Sequence, residues 1–339
     1  MKRENFLFEK IVDYNNIRLA FLKAIRGNRK SPAVVNFCRN TGKNLNVVRD
    51  KLLSPDCPWG GYSSFLITDP KLRVISCAPI EQRIMHHAIM NRLEVILQRP
   101  LVYHCYACRK GKGTHAAALY AFRQCKVNQW FLKLDIRKYF DSIDHEILKT
   151  KLGSLIKDIR VIGLLDGIID SYETEPGKGV PIGNLTSQFF ANMYLACLDH
   201  YVLEKLRPAA YCRYMDDFVL WASSQAQLKT MLNQIDDYVK RNLKLSLKKP
   251  VLGKTVTGLP FLGFLIKEKG IYLLRKSKKR VILRMEEITG LLSRGRISEE
   301  KAGERVRSVF AAIGLARTNG FRKIIYEKGE RLLGMGLTG

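Results

Sequence analysis

Residues 211–221 read YCRYMDDFVLW, with two acidic side chains side by side inside an otherwise apolar run. Tyr214 and Met215 precede Asp216 and Asp217; Phe218, Val219, Leu220 and Trp221 follow them. The pattern predicts a strand, a tight turn and a second strand. An ordinary turn there would use Asn-Gly or Asp-Gly, which accept positive φ. Adjacent carboxylates repel each other and lose hydration on burial unless something cationic stands beside them. Two readings follow: a solvated hairpin tip, or a metal site.

Working outward, the whole chain favours the second. Its 339 residues carry 58 Lys and Arg against 31 Asp and Glu, a net charge of +27. An excess of that size repels itself in a compact fold unless a polyanion is the normal partner, and nucleic acid is the first candidate. Apolar residues make up 46% of the chain, enough for a packed core in two or three domains or one articulated one. No apolar run approaches the roughly 18 residues of a membrane span, and MKRENFLFEKIVDYNN lacks the pattern of a secretory leader. No membrane partner and a cytoplasmic location are therefore expected. Eight scattered cysteines read as reduced thiols rather than a disulfide framework. Cys105 and Cys108 have metal-ligand spacing, but no second C-x-x-C exists, and packed thiols are the expectation.

Apolar spacing predicts helices over 17–25, 80–97 and 224–242, and a long helix after the Gly/Pro loop GKGVPIGN, stopped by Pro208. YSSFLI and LRVIS read as short strands joined at Asp69-Pro70. WFLKLDIRKYFDSIDHEILKTKL begins as a strand ending at Asp135 and turns helical near Ser142. Short strands are expected around FLGFLI in 251–274, then basic helices: residues 275–339 hold 16 Lys and Arg against 7 acids.

Successive side chains on a strand point to opposite faces, so Asp216 and Asp217 cannot play the same part. Asp135 is the natural third carboxylate, because FLKLD can neighbour YCRYM in one sheet. Carboxylates that leave positions open suit Mg²⁺, and two such ions can serve an attacking 3′-hydroxyl and a leaving pyrophosphate. A glycosidase-like acid pair would leave the charge unexplained.

The strand–turn–strand Y-M-D-D, with Phe131, Asp135 and the run Tyr139–Ile143 upstream, resembles the palm of a reverse transcriptase. Further blocks follow in order: RVISCAPIEQRIMHHAI and YACRKGKGTHAAA resemble finger motifs of bacterial and group II intron-type enzymes, and FLGFLI resembles the primer-grip turn. The resemblance covers roughly residues 65–280 and implies an α+β right-hand polymerase. Fingers would occupy 1–130, the palm with its antiparallel sheet 131–270 and a short, basic helical thumb 271–339. It implies Asp135, Asp216 and Asp217 as catalytic residues. Asp135, Asp216 and the Ile136 carbonyl would hold two Mg²⁺, for which Mn²⁺ can substitute.

Most bacterial relatives carry P-Q-G-x-x-x-S-P before the long helix; here Pro181, Ile182, Gly183, Ser187 and Gln188 give P-I-G-x-x-x-S-Q. That form resembles the reverse transcriptases of diversity-generating retroelements, which make adenine-mutagenised cDNA from a template RNA. A Gln side chain could hydrogen-bond near the incoming nucleotide and Ile182 cannot, a loss of about 1 kcal/mol. Loop packing is the plainer reading of Ile182. The resemblance also implies Lys71, Arg73, Ile182, Gly183 and Gln188 around the dNTP, and Phe140 as a gate against a ribose 2′-hydroxyl. Arg109 and Lys112 would contact template, and Leu262 and Gly263 the primer. Lys248 or Lys249 would be a proton donor to pyrophosphate, with Lys248 preferred. His86 and His87 read as structural residues of a helix, and Asn192 as support behind the active-site strand. Implied partners are template RNA, the cDNA or primer strand, dNTPs and a small, basic, pentameric accessory variability protein. A retron-type or phage-defence enzyme making a fixed cDNA is the alternative.

Overall fold

The YMDD hairpin supplies one edge strand and one inner strand of a four-stranded antiparallel sheet. The computed structural model describes residues 3–68, 72–318, 320, 321, 323 and 325. Lys71, the Asp69-Pro70 turn and the thumb expectation beyond residue 325 lie outside the described residues. The N-terminal third is helical: α1 (Phe8–Ile11), α2 (Tyr14–Ala24), α3 (Pro32–Cys38) and α4 (Thr41–Leu53). Asp13 and Ser31 cap α2 and α3 by accepting from Asn16 and Val34 amides. A two-stranded hairpin, β1 (Ser63–Ile67) and β2 (Arg73–Cys77), leads into α5 (Ile80–Gln98), followed by α6 (Thr114–Val127).

The central sheet has the order β4-β5-β3-β6, with β3 (Trp130–Asp135), β4 (Ala210–Tyr214), β5 (Asp217–Ala222) and β6 (Val251–Lys254). Between β3 and β4 run α7 (His145–Gly153), α8 (Ile159–Asp170), α9 (Leu185–Tyr194) and α10 (Ala196–His200); α11 (Gln225–Leu243) joins β5 to β6. A three-stranded meander, β7 (Leu259–Phe261), β8 (Phe264–Lys267) and β9 (Gly270–Leu273), precedes α12 (Arg275–Ser293) and α13 (Glu299–Ile313).

Strand alternation divides the core in two. Leu132, Leu134, Phe218 and Leu220 face the helices of the first core. Phe131, Val219 and Trp221 face a second core containing α6 residues, the β7–β9 meander and Val281 of α12. Phe218 through Ala222 are therefore all buried, which explains an apolar run with no polar alternation. At about 1.5–3 kcal/mol per large buried side chain, this run supplies the anchoring that lets the same hairpin carry two acids.

The helix expected near Ser142 begins as a 3-10 turn, Phe140–Ser142, and continues as α7 after Asp144, which caps it by accepting from the Ile147 amide. One expectation is corrected. The long helix before Pro208 is broken at Leu195 and ends in a π-helical turn, Tyr201–Leu206. Arg207 then takes left-handed backbone (φ 49°) and ends it, before the Pro208 that the sequence offered as the stop.

Candidate active site

Asp135 ends β3 and lies directly opposite Asp217, the first residue of β5. Paired residues of an antiparallel ladder project to the same face, so these two carboxylates share a side of the sheet. Asp216 is in the two-residue turn that Tyr214 and Asp217 close. Burial raises Asp216 to about 6, helped by the neighbouring Asp135 charge. Burial raises Asp217 to about 7 against the opposing pull of Lys133. Three carboxylates at one end of a buried sheet create a strong demand for positive charge.

Two lysines answer part of it. Lys248 Nζ is 2.6 Å from Asp135 Oδ1, and the Lys248 amide donates to the Asp135 carbonyl at 2.8 Å. Lys133 Nζ stands 3.0 Å from Asp217 Oδ1, close enough for charge pairing but off the hydrogen-bond direction, since that oxygen has no hydrogen-bond partner. Asp217 is thus matched to a lysine on its own face, while Asp216 and Asp135 face each other's charge. Asp216 stands in the turn rather than on a strand, so it is the turn, and not strand alternation, that separates the two acids.

The donors fit a hard cation. Ile136 pairs with Leu247 through bonds made by its neighbours: the Arg137 amide donates to the Ser246 carbonyl, and Lys248 to Asp135. Ladder alternation then turns the Ile136 carbonyl to the opposite side, toward the hairpin tip. Two carboxylates and one carbonyl, all oxygen, match the partial protein shell that Mg²⁺ accepts when substrate phosphates and water complete it. Among the described residues no group of three or more His, Cys, Asp or Glu side chains is placed to hold a metal ion by itself. An open shell has no need of such a group.

A cavity of about 890 Å³ is lined among others by Arg73, Val74, Lys138, Asp141, Ile182 and Lys244, and by none of the three carboxylates. It unites Arg73 and Ile182, which are 109 positions apart. The Ile182 carbonyl accepts from the Ser76 amide at 2.8 Å, which locks the Pro181–Gly183 loop to β2. Gly183 has φ +119°, and a Cβ there would fall 2.8 Å from Ile75 Cγ2 and 3.0 Å from the Ser76 carbonyl. Only glycine fits that contact. Phe140 is flanked in sequence by lining residues but packs on the edge of the first core and edge-on to Tyr139, 5.7 Å between centroids.

Other expected site residues have structural partners. Arg109 donates to the Val102 and Cys105 carbonyls, and Lys112 to the Tyr103 carbonyl while lying 3.4 Å over the Tyr103 ring. These cations hold their own loop together. Gln188 Oε1 accepts from Cys108 Sγ at 3.5 Å, and Cys105 Sγ donates to Asn192 Oδ1 at 3.0 Å. His86 is buried and held neutral, pushed down to about 3 by desolvation, yet its Nε2 has no partner, so it is not the satisfied core histidine expected. Leu262 and Gly263 form the turn between β7 and β8, both with positive φ.

Three residues escaped the sequence reading: Lys133, Arg213 and Asp199. Lys133 and Arg213 are charges inside apolar strands, the same signal that singled out Asp216. Asp199, 0% exposed, could only be recognised through its partner.

The family model for "Reverse transcriptase (RNA-dependent DNA polymerase)" matches residues 68–266, more than half of the chain. The chain belongs to the reverse transcriptase family. Membership brings RNA-directed DNA polymerase activity and a right-hand polymerase fold, and the family generally uses divalent metal ions. Protein YkfC of Escherichia coli is 25% identical over 285 residues, covering 67% of this chain and 72% of that one. The group II intron-encoded protein LtrA of Lactococcus lactis is 26% identical over 140 residues, 40% of this chain but 23% of the longer relative. The apo telomerase of Candida tropicalis superposes with a TM-score of 0.49 at 16% identity, covering 66% of this chain and 56% of that one. Among the described residues no helix is long and apolar enough to cross a membrane.

Proposed function

We propose that this reverse transcriptase copies a retroelement RNA into error-prone, adenine-mutagenised cDNA in the cytoplasm. The observation that carries the polymerase chemistry is the meeting of Asp135, Asp216 and Asp217 at one sheet end. On this reading Asp135, Asp216 and the Ile136 carbonyl hold two Mg²⁺, which when bound supply Lewis acidity to the 3′-hydroxyl and the α-phosphate. Asp217, matched to Lys133, holds the turn's field rather than a metal. Arg73 balances triphosphate charge, and Lys248 is near enough to Asp135 to serve the leaving pyrophosphate. Residues 1–130, 131–270 and 271–339 act as fingers, palm and thumb, and Phe140 excludes ribonucleotides.

What supports the mutagenic subtype is Ile182. It lines the cavity with an apolar side chain where a polar one could hold the nascent base pair. The partners are template RNA, primer or cDNA, dNTPs and a small, basic accessory protein. Purified protein should be given a primed RNA, dNTPs and Mg²⁺, and its cDNA sequenced beside that of Ile182→Gln. Errors concentrated at template adenines, reduced several-fold by the substitution, are expected. Identical error spectra from the two proteins sink the Ile182 assignment. Faithful cDNA from the natural sequence moves the chain to the retron or defence class.

A further inference from the structure

Arg213 is fully buried beneath the YMDD turn, and so is its partner Asp199. Arg213 Nε donates to Asp199 Oδ1 at 2.6 Å and Nη2 to Asp199 Oδ2 at 2.6 Å, a two-pronged pair between β4 and α10. The remaining donors do something else. Nη1 donates to the Met215 carbonyl at 3.0 Å and to Asn192 Oδ1 at 3.0 Å, and Nη2 to the Asn192 carbonyl at 3.1 Å. Met215 is the residue before Asp216 and has φ +54°. Of the two turn residues only Met215 has positive φ, so it occupies the place where a turn of this hand normally needs glycine. A methionine stays there only if its surroundings hold it.

We infer that Arg213 is a positioning residue for the polymerase reaction: it holds the strained Met215 peptide and thereby fixes the Asp216 carboxylate. Strand alternation puts Arg213 with Tyr211 on the helix face, opposite the face that Asp217 shares with Asp135. It therefore acts through the backbone and touches neither substrate nor metal. The same residue ties the turn to the loop at 102–113. The Arg213 amide donates to the His104 carbonyl at 3.0 Å, and the Tyr106 amide donates to the Arg213 carbonyl at 2.9 Å. Asn192 joins both sides, accepting from Arg213 and Cys105 and donating to the Ala107 carbonyl at 2.8 Å. Movement of that loop is transmitted to the turn through bonds already in place.

A lysine cannot reproduce this geometry, because it retains one charge but loses the planar fork that reaches Asp199 and Met215 together. The inference rests on Asp216 being a reacting-site carboxylate, so Asp216→Ala is measured in parallel. The test compares Arg213→Lys with a variant that removes the polar cluster whole, Asp199→Leu/Tyr211→Phe/Arg213→Met. Tyr211 is included because its hydroxyl donates to Asp199 Oδ1. Rates are expressed per active site by single-turnover titration, with primer–template affinity and the Mg²⁺ concentration for half-maximal rate measured on the same samples. Expected for both variants is a rate lowered about 10- to 100-fold, affinity unchanged within about twofold, and a several-fold higher Mg²⁺ requirement.

A second prediction separates positioning from simple support. Met215→Gly removes the strain, so Arg213→Lys should cost the rate several-fold less in a Met215→Gly background. An unchanged rate per active site in either variant overturns the inference, as does failure of both variants to yield folded protein, since Arg213 would then be a folding residue. Full activity in Asp216→Ala would instead overturn the polymerase-site reading itself.

Discussion

Two of the three hairpins with two-residue loops among the described residues differ in what holds them. At Leu262–Gly263, between β7 and β8, both turn residues have positive φ (50° and 88°), the geometry that matches strand twist. Its support is local: Ser277 Oγ donates to the Gly263 carbonyl at 2.7 Å, and the Leu274 amide reaches the same carbonyl at 3.2 Å. At Met215–Asp216 no glycine is present, the first residue is strained, and the support comes from a buried guanidinium on β4. The first turn also puts a non-glycine residue, Leu262, at positive φ, but it has a glycine beside it and is braced by the start of α12. The second is held from outside, which frees its tip to carry carboxylates that a self-sufficient turn would not place there.

The largest effect that can break this contrast is on catalysis. Asp216→Asn should lower cDNA synthesis by about 10³-fold or more, whereas Leu262→Ala should lower it by about tenfold or less and through primer affinity. Primer-extension rates at saturating and limiting primer distinguish the two. Equal losses in rate at saturating primer would erase the distinction between a reacting hairpin and a gripping one.

The next effect is on stability and has a definite sign. Asp216 and Asp217 are raised to about 6 and about 7 from an ordinary value of 3.8. A carboxyl raised by folding binds its proton more tightly in the native state. The metal-free protein should therefore be most stable below about pH 4 as far as these groups are concerned, and lose on the order of a few kcal/mol between about pH 4 and 7. Thermal melts of Asp216→Asn/Asp217→Asn in EDTA should lack that slope and exceed the natural protein at pH 7. Mg²⁺ should stabilise the natural protein more at pH 8 than at pH 5. A natural protein whose melting temperature is flat across this range, alone in EDTA, would contradict the burial of these carboxylates.

The smallest effect is in the turns themselves. Gly263→Ala puts a Cβ on a residue at φ +88°, 3.2 Å from Ser277 Oγ, and should cost about 1 kcal/mol. Met215→Gly should cost none, because strain relief offsets the added freedom of the unfolded chain. Denaturant midpoints at constant m-value resolve the pair. The reverse order would mean that Met215 is not strained.

Much of this was legible in the chain itself. Acids inside an apolar run, with Asp135 ending another such run, were enough to specify a sheet with a charged end, because period-two alternation makes the geometry local. The blocks before and after them identified the family, and residues 130–135 and 210–222 became the strands they were read to be. Helices were legible in place but not in continuity, as the break at Leu195 shows; hydrophobic period does not report how a helix end meets its neighbours.

What the sequence could not decide was pairing between distant charges. With 58 Lys and Arg against 31 acids, any acid has many candidate partners. Arg213 is matched to Asp199 by full burial and Lys133 to Asp217 by partial burial, whereas the more exposed Lys248 reaches Asp135 because a bridge sets Leu247 beside Ile136. The same packing joined Arg73 and Ile182 in one cavity and drew Arg109 and Lys112 onto carbonyls of their own loop. Local spacing determined where the carboxylates stand on their strands; tertiary structure decided which cations meet them and what holds the turn, because those contacts depend on desolvation and distance across the fold rather than on order along the chain.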